Sequence, residues 1–288
     1  MEKGRIIKLI GGIYTVKDET NQHHSLKPRG VFRHKKESPK VGDFVEFEGA
    51  TIYHMLPRKN ELIRPPIVNV DQAILINSTK SPNFSTFLLD RFLVLAHQAD
   101  IDPVIVVNKI DLLGEVALQK LKDTLSHYEA YYDVYYLSAK LKPTLNVFES
   151  IFDSKVSVLA GQTGSGKSSL LNALDDSLDL KTGETSKALG RGRHTTRHTE
   201  LLEIMGGLIA DTPGFSKLDF YGLTTDDLPH LYPDFVAYRS NCKFRGCHHI
   251  NEPKCAIKTA VENNEIPKNR YENYQKIYEE IKNQKPIY

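Results

Sequence analysis

Residues Gly161-Gln162-Thr163-Gly164-Ser165-Gly166-Lys167-Ser168 follow the spacing G-x-x-x-x-G-K-[ST]. They come directly after the apolar run Val156-Ser157-Val158-Leu159-Ala160 and before the helical run Ser169-Leu170-Leu171-Asn172-Ala173-Leu174. A strand, a glycine-rich turn and a helix in that order make a phosphate cradle. Glycines let the backbone N–H groups converge on phosphate oxygens, and the helix N-terminus, opened by Ser168 and Ser169, adds partial positive charge. In that chemistry Lys167 would reach the β- and γ-phosphates and Ser168 would ligate Mg²⁺. The loop specifies a nucleoside triphosphate but not its base.

The base is specified elsewhere. Asn108-Lys109-Ile110-Asp111 follows the buried run Val104-Ile105-Val106-Val107, at the strand end where α/β sheets bind ligands. A carboxylate there accepts two hydrogen bonds from guanine N1–H and its 2-amino group, a pair adenine does not offer. Asp111 is therefore the discriminating residue, with Asn108 and Lys109 bracing the loop and packing over the base. Ser138-Ala139-Lys140, after the apolar run 134–137, would present backbone N–H groups to the guanine oxygen.

Asp211-Thr212-Pro213-Gly214 closes the run 208–210, which places Asp211 to hold Mg²⁺ through water and the Gly214 N–H near the γ-phosphate. Between the two phosphate-facing segments lies Gly190-Arg191-Gly192-Arg193-His194-Thr195-Thr196, where Thr195 or Thr196 could close over Mg²⁺ when a γ-phosphate is present. The base-reading loops precede the phosphate loop and the metal-binding aspartate comes last. The set is that of a GTP-binding domain in circularly permuted order, which a site built on loop ends permits.

A third constellation is Cys242, Cys247, His249 and Cys255. Three thiolates and one imidazole suit a closed, structural, tetrahedral Zn²⁺ site, with His248 as the rival to His249.

The elements that must carry these groups have three textures. Residues 1 to about 65 alternate in short glycine-punctuated runs, such as Arg5–Ile10, Ile13–Val16 and Val41–Glu48, and read as an all-β, OB-like barrel. Within them, Lys27, Arg29, Arg33, Lys35, Lys36 and Lys40 oppose the single acid Glu37, an uncompensated basic loop suited to phosphate backbones. Pro65-Pro66 reads as a stiff linker. Residues 70–220 read as a parallel α/β sheet with helices. Residues 221–288 read as a mainly helical zinc-binding domain whose last helix carries Tyr271, Tyr274, Ile277, Tyr278 and Ile281 on one face.

Composition is consistent with this. The chain has 288 residues, 40% hydrophobic and 26% charged. No stretch supplies the ~18 apolar residues of a membrane span. A formal net charge of +2 means that nucleic acid must be met by local patches. The N-terminus has no secretory pattern and the cysteines number 3, so a reducing cytoplasm is expected.

Taken in order, barrel, permuted GTP-binding motifs and Cys/His knuckle resemble the ribosome small-subunit-dependent GTPase A family, also called RsgA, YjeQ or YloQ. The likeness runs over essentially the whole chain. Its one small departure is Thr163 and Ser165, where that family's loop usually reads G-x-S-G-V-G-K-S. The resemblance implies a monomeric factor that acts late in 30S assembly, contacts 16S rRNA but neither membrane nor DNA, and hydrolyses GTP to GDP faster on the subunit. The rRNA contacts it implies are the 27–40 segment and Lys243, Arg245, Lys254 and Lys258. Phe215 stands where Ras-like enzymes carry a water-orienting glutamine, and His194 is the candidate to take that role. Two rivals differ in kind: a P-loop ATPase or kinase, and a non-catalytic GTP-dependent RNA-binding adaptor.

Overall fold

The computed structural model describes residues 1–34, 37–63, 65–175, 199–210 and 219–284. His194, Thr195, Thr196, Asp211, Gly214 and Phe215 lie outside the described residues.

The N-terminal strands are β1 (Glu2–Ile10), β2 (Ile13–Asp18), β3 (His23–Pro28), β4 (Phe44–Glu48) and β5 (Thr51–Met55), with a helical turn α1 (Val31–His34) between β3 and β4. Pairing runs β1-β2-β3-β5-β4 and closes through β1 with β4, so these five strands form a barrel without a free edge. Ile6, Val16, Leu26, Val45, Phe47 and Ile52 fill it, each buried on the inward side of its strand.

The basic segment departs from a simple loop. Lys27 is on β3, Phe32 of α1 is buried, and Lys40 pairs with Glu61. Arg29 remains exposed, its guanidinium 4.9 Å from the Tyr53 ring centroid. Pro65-Pro66 is not a free linker either. It lies between β6 (Glu61–Leu62) and β7 (Ile67–Val68), an antiparallel pair whose Leu62, Ile67 and Val68 are buried.

The central sheet contains β8 (Gln72–Ser78), β9 (Asp102–Asn108), β10 (Asp133–Tyr136), β11 (Val156–Ala160), β12 (Thr199–Ile204) and β13 (Gly207–Ala210). Its helices are α2 (Thr86–Gln98), α3 (Glu115–Glu129), α4 (Val147–Phe152) and α5 (Lys167–Leu174). The order is β10-β9-β8-β11-β13-β12, parallel except for β12. Every residue of β8 and β11 is buried, as central parallel strands covered on both faces require. The direction in which strands are added reverses between β8 and β11: β8, β9 and β10 step one way across the sheet, β11 and β13 the other. The crevice at their carboxyl ends is a topological switch point.

Strand β12, absent from the sequence reading, also pairs antiparallel with β1, matching Lys8 to Glu200 and Leu9 to Thr199. Barrel and central sheet are thereby one 11-stranded sheet. The Lys8–Glu200 ion pair at 2.8 Å and the Lys17–Glu203 pair at 2.5 Å flank the seam.

The C-terminal region packs α6 (Pro233–Tyr238), α7 (Ala256–Glu262) and α8 (Lys268–Lys282) against α2. The expected stripe on α8 is there: Tyr274, Ile277, Tyr278 and Ile281 are buried and Tyr271 half-buried, but Arg270 and Asn273 are buried on the same helix.

Candidate nucleotide site and zinc knuckle

The phosphate loop leaves β11 at Gly161 and enters α5 at Lys167. Two glycines are obligatory. Gly161 has φ +145°, and a Cβ there would stand 2.2 Å from the Ile76 carbonyl oxygen of β8. Gly166 has φ +95°, and its Cβ would meet Asn108 Nδ2 at 2.4 Å. The loop thus turns against β8 and the end of β9 with no room for a side chain.

The end of β9 grips that loop. The buried Asn108 donates from Nδ2 to the Ser165 carbonyl at 3.0 Å, while its Oδ1 accepts the Lys109 N–H at 2.8 Å. Lys109 Nζ donates to the carbonyls of Gly164 at 2.7 Å and Ser81 at 2.6 Å. Thr79 Oγ1 donates to the Lys109 carbonyl at 2.7 Å. One lysine therefore fastens the loop after β8 to the phosphate loop. Thr79 and Ser81 belong to no motif noted in the sequence; their only signal was their place after an apolar strand.

Asp111 is oriented by its neighbours. Ser138 Oγ donates to Asp111 Oδ1 at 2.6 Å, and Lys140 Nζ lies 3.7 Å from Oδ2. The three backbone N–H groups of Ser138-Ala139-Lys140 are not equivalent. Ser138 N–H donates to Thr144 Oγ1 and Lys140 N–H to Ser138 Oγ, each at 3.1 Å. Ala139 N–H has no hydrogen-bond partner among the described residues.

The cradle fits a nucleotide phosphate: it excludes side chains at two glycines and carries a lysine turned inward. Lys167 Nζ donates to the Gly161 and Gln162 carbonyls, both at 2.8 Å, and burial lowers its pKa to about 8. Gln162, Thr163 and Gly164 are exposed along the loop; Ser168 is half-buried and Ser169 exposed in the first turn of α5. Ser168 would supply one oxygen to Mg²⁺, which would shield the phosphate charge.

In the C-terminal region the Cys242, Cys247 and Cys255 sulfurs and a His249 nitrogen lie within 4.8 Å of one another. His249 Nδ1 is 3.6 Å from Cys242 Sγ and 3.3 Å from Cys255 Sγ. His248 points away: its ring contacts Asp226 at 2.7 Å and the Tyr278 hydroxyl at 3.2 Å. Burial raises the Cys247 thiol to about 12 and lowers His249 to about 4, which keeps the imidazole neutral. Three converging sulfurs, no disulfide among them, and an imidazole available as a lone-pair donor fit Zn²⁺. The knuckle is hung from α8, whose Tyr271 and Tyr274 hydroxyls donate to the carbonyls of His249 and His248, both at 2.6 Å.

A parallel sheet with a phosphate loop at its switch point after β11 and N-K-x-D at the end of β9, across β8 from it, defines a circularly permuted P-loop GTPase. Residues 55–221 match the RsgA GTPase domain family and residues 3–51 the RsgA N-terminal domain family. The chain is 51% identical to the small ribosomal subunit biogenesis GTPase RsgA 2 of Oceanobacillus iheyensis, with 100% of both chains covered. It is 47% identical, with the same coverage, to the RsgA of Bacillus subtilis. The crystal structure of YloQ, a circularly permuted GTPase, superposes with a TM-score of 0.86 at 42% identity over 100% of this chain and 97% of that one. YjeQ from Thermotoga maritima gives 0.88 at 36% identity over 99% of each. The chain belongs to the RsgA GTPase family, whose members are P-loop hydrolases.

Proposed function

We propose that this protein hydrolyses GTP to GDP and phosphate as a late-stage assembly factor of the small ribosomal subunit, and that the subunit stimulates hydrolysis. The carrying observation is the direct grip of Asn108 and Lys109 on Ser165 and Gly164, which joins a guanine-reading loop to a phosphate loop. The biogenesis role named for the relatives supports the partner.

In this reading Asp111 and Ala139 N–H read the base, with Asn108, Lys109, Ser138 and Lys140 shaping its pocket. Gly161–Ser169 hold the phosphates, and Lys167 neutralises their charge. Ser168, and Asp211 through water, would hold Mg²⁺, Gly214 N–H would meet the γ-phosphate, and Thr195 or Thr196 would supply a further oxygen to the metal, which would shield the phosphate charge. His194 orients the attacking water when the subunit is bound. Cys242, Cys247, His249 and Cys255 bind one structural Zn²⁺. Exposed Arg29, Lys243, Arg245 and Lys254 contact 16S rRNA by phosphate and shape recognition. The protein works as a cytoplasmic monomer, without membrane or DNA contact. Among the described residues, no helix is long and apolar enough to cross a membrane.

The test is GTP turnover with and without purified 30S subunits, with ATP as competitor. Stimulated turnover that ATP leaves untouched is expected. Equal turnover with and without subunits would refute the stimulation, and ATP competition would refute the base assignment.

A further inference from the structure

Thr144 belongs to none of the nucleotide motifs, yet it decides which amide of the base-reading loop is free. It sits in the short helical turn Lys142–Leu145, just after Pro143. Its Oγ1 accepts the Ser138 N–H at 3.1 Å and lies 2.7 Å from the Leu141 carbonyl and 3.3 Å from that of Ser138. A hydroxyl has one proton to give and two lone pairs to receive. The Thr144 proton goes to the nearer carbonyl of Leu141, and a lone pair takes Ser138 N–H.

The same arithmetic applies one step inward. Ser138 Oγ gives its single proton to Asp111 Oδ1 at 2.6 Å and receives the Lys140 N–H at 3.1 Å. Ser138 is 1% exposed, so its N–H has no access to water. Without the Thr144 oxygen that amide would be a buried orphan, and the loop would have to shift to satisfy it.

We propose that Thr144 is a specificity-determining positioning residue. By occupying Ser138 N–H and tying Leu141 back to Ser138, it aims the Ser138 hydroxyl at Asp111. It also leaves Ala139 N–H as the one donor for the purine 6-keto oxygen. The proposal rests on the guanine-nucleotide reading of the site and adds to it the residue that sets the loop.

The test compares Thr144→Val, which keeps shape and loses the hydroxyl, with Thr144→Ser, which keeps the hydroxyl. GDP and 6-thio-GDP, whose sulfur is a poor acceptor, are titrated into each full-length protein. Thr144→Val should bind GDP about ten-fold more weakly, as losing one buried hydrogen bond predicts. It should bind 6-thio-GDP nearly as the unaltered protein does, so discrimination between the two shrinks. Thr144→Ser should restore it. KM for GTP should rise with kcat within about two-fold. Equal losses for both nucleotides, or no loss, would overturn the role of Thr144 while leaving the site intact. Failure of the unaltered protein to bind GDP would remove the site reading and this proposal together. Amide exchange in the unaltered, nucleotide-free protein gives a check that needs no variant. The Ser138 amide should be protected and the Ala139 amide unprotected until GDP is added; an unprotected Ser138 amide overturns the proposal.

Discussion

Arg270 of α8 and Asp234 of α6 face each other in two contacts of 3.1 Å, Nε to Oδ2 and Nη2 to Oδ1, with both side chains withdrawn from water. The guanidinium also bonds Asp90 of α2, and it lies 4.3 Å from the Tyr232 ring centroid. Burial opposes ionisation of Asp234, but Arg270 and His127 overcome it and hold that carboxyl below the usual range. Burial dominates at Asp90 and pushes its carboxyl up. Removing one member of such a cluster leaves buried charge uncompensated, at a cost of about 3–5 kcal/mol. Arg270→Ala is expected to lose that much in urea unfolding, with α8 detaching from α2. A loss below about 1 kcal/mol would contradict the pinning role.

That cluster was invisible in the sequence, and the reason is distance along the chain. Arg270 and Asp90 are 180 positions apart and Arg270 and Asp234 are 36 apart, so no local spacing announces them. The nucleotide loops were legible because each is a contiguous string anchored to a strand end, where geometry fixes what the residues face. The same holds for the cysteines, clustered within one short segment. Strand β12 escaped because its partner β1 lies at the other end of the chain, and Pro65-Pro66 read as a linker because the pairing of the flanking dipeptides is too short to show periodicity. Thr144 escaped because its role depends on a backbone N–H.

Asp111 is expected to set base preference through its charge. Asp111→Asn exchanges an acceptor for a donor, so GDP affinity should fall by about 100-fold, the equivalent of two charge-assisted hydrogen bonds. Xanthosine diphosphate, with a keto group in place of the 2-amino group, should gain. Competition titration with the two nucleotides checks this, and unchanged preference would dismiss Asp111 as the reader.

The zinc knuckle predicts one equivalent of Zn²⁺ per chain by elemental analysis. His249→Ala should lose the metal and His248→Ala should keep it, because only the His249 ring faces the sulfurs. Chelation should melt the C-terminal region first, since metal binding there is folding energy. A protein that retains its melting profile without zinc would show the site to be dispensable.

Ser165 carries a cost. It is 1% exposed, and its hydroxyl has no hydrogen-bond partner among the described residues. Ser165→Ala removes an unsatisfied polar group without adding bulk. Stability is expected to rise by about 1 kcal/mol. GDP affinity should stay within about two-fold because the carbonyl that Asn108 holds is retained. Thermal unfolding with and without GDP reads both quantities, and destabilisation would mean the hydroxyl has a partner in solution.

Lys167 makes nucleotide affinity depend on pH. Burial lowers it to about 8 in the free protein, and a bound phosphate would favour the charged form and raise it again. A group that titrates higher in the complex gives full affinity below the free value. Above about pH 8 affinity should fall, approaching ten-fold per unit, until the pKa of the complex is reached. For folding the sign differs: the lysine is harder to charge when folded than when unfolded, so its unfavourable contribution diminishes as pH rises through about 8. Calorimetric GDP titrations from about pH 7 to about pH 9.5 read the binding slope. Lys167→Met, measured in parallel, isolates the titration of the nucleotide itself. Equal slopes in the two proteins would show that Lys167 does not carry the charge that holds the phosphates.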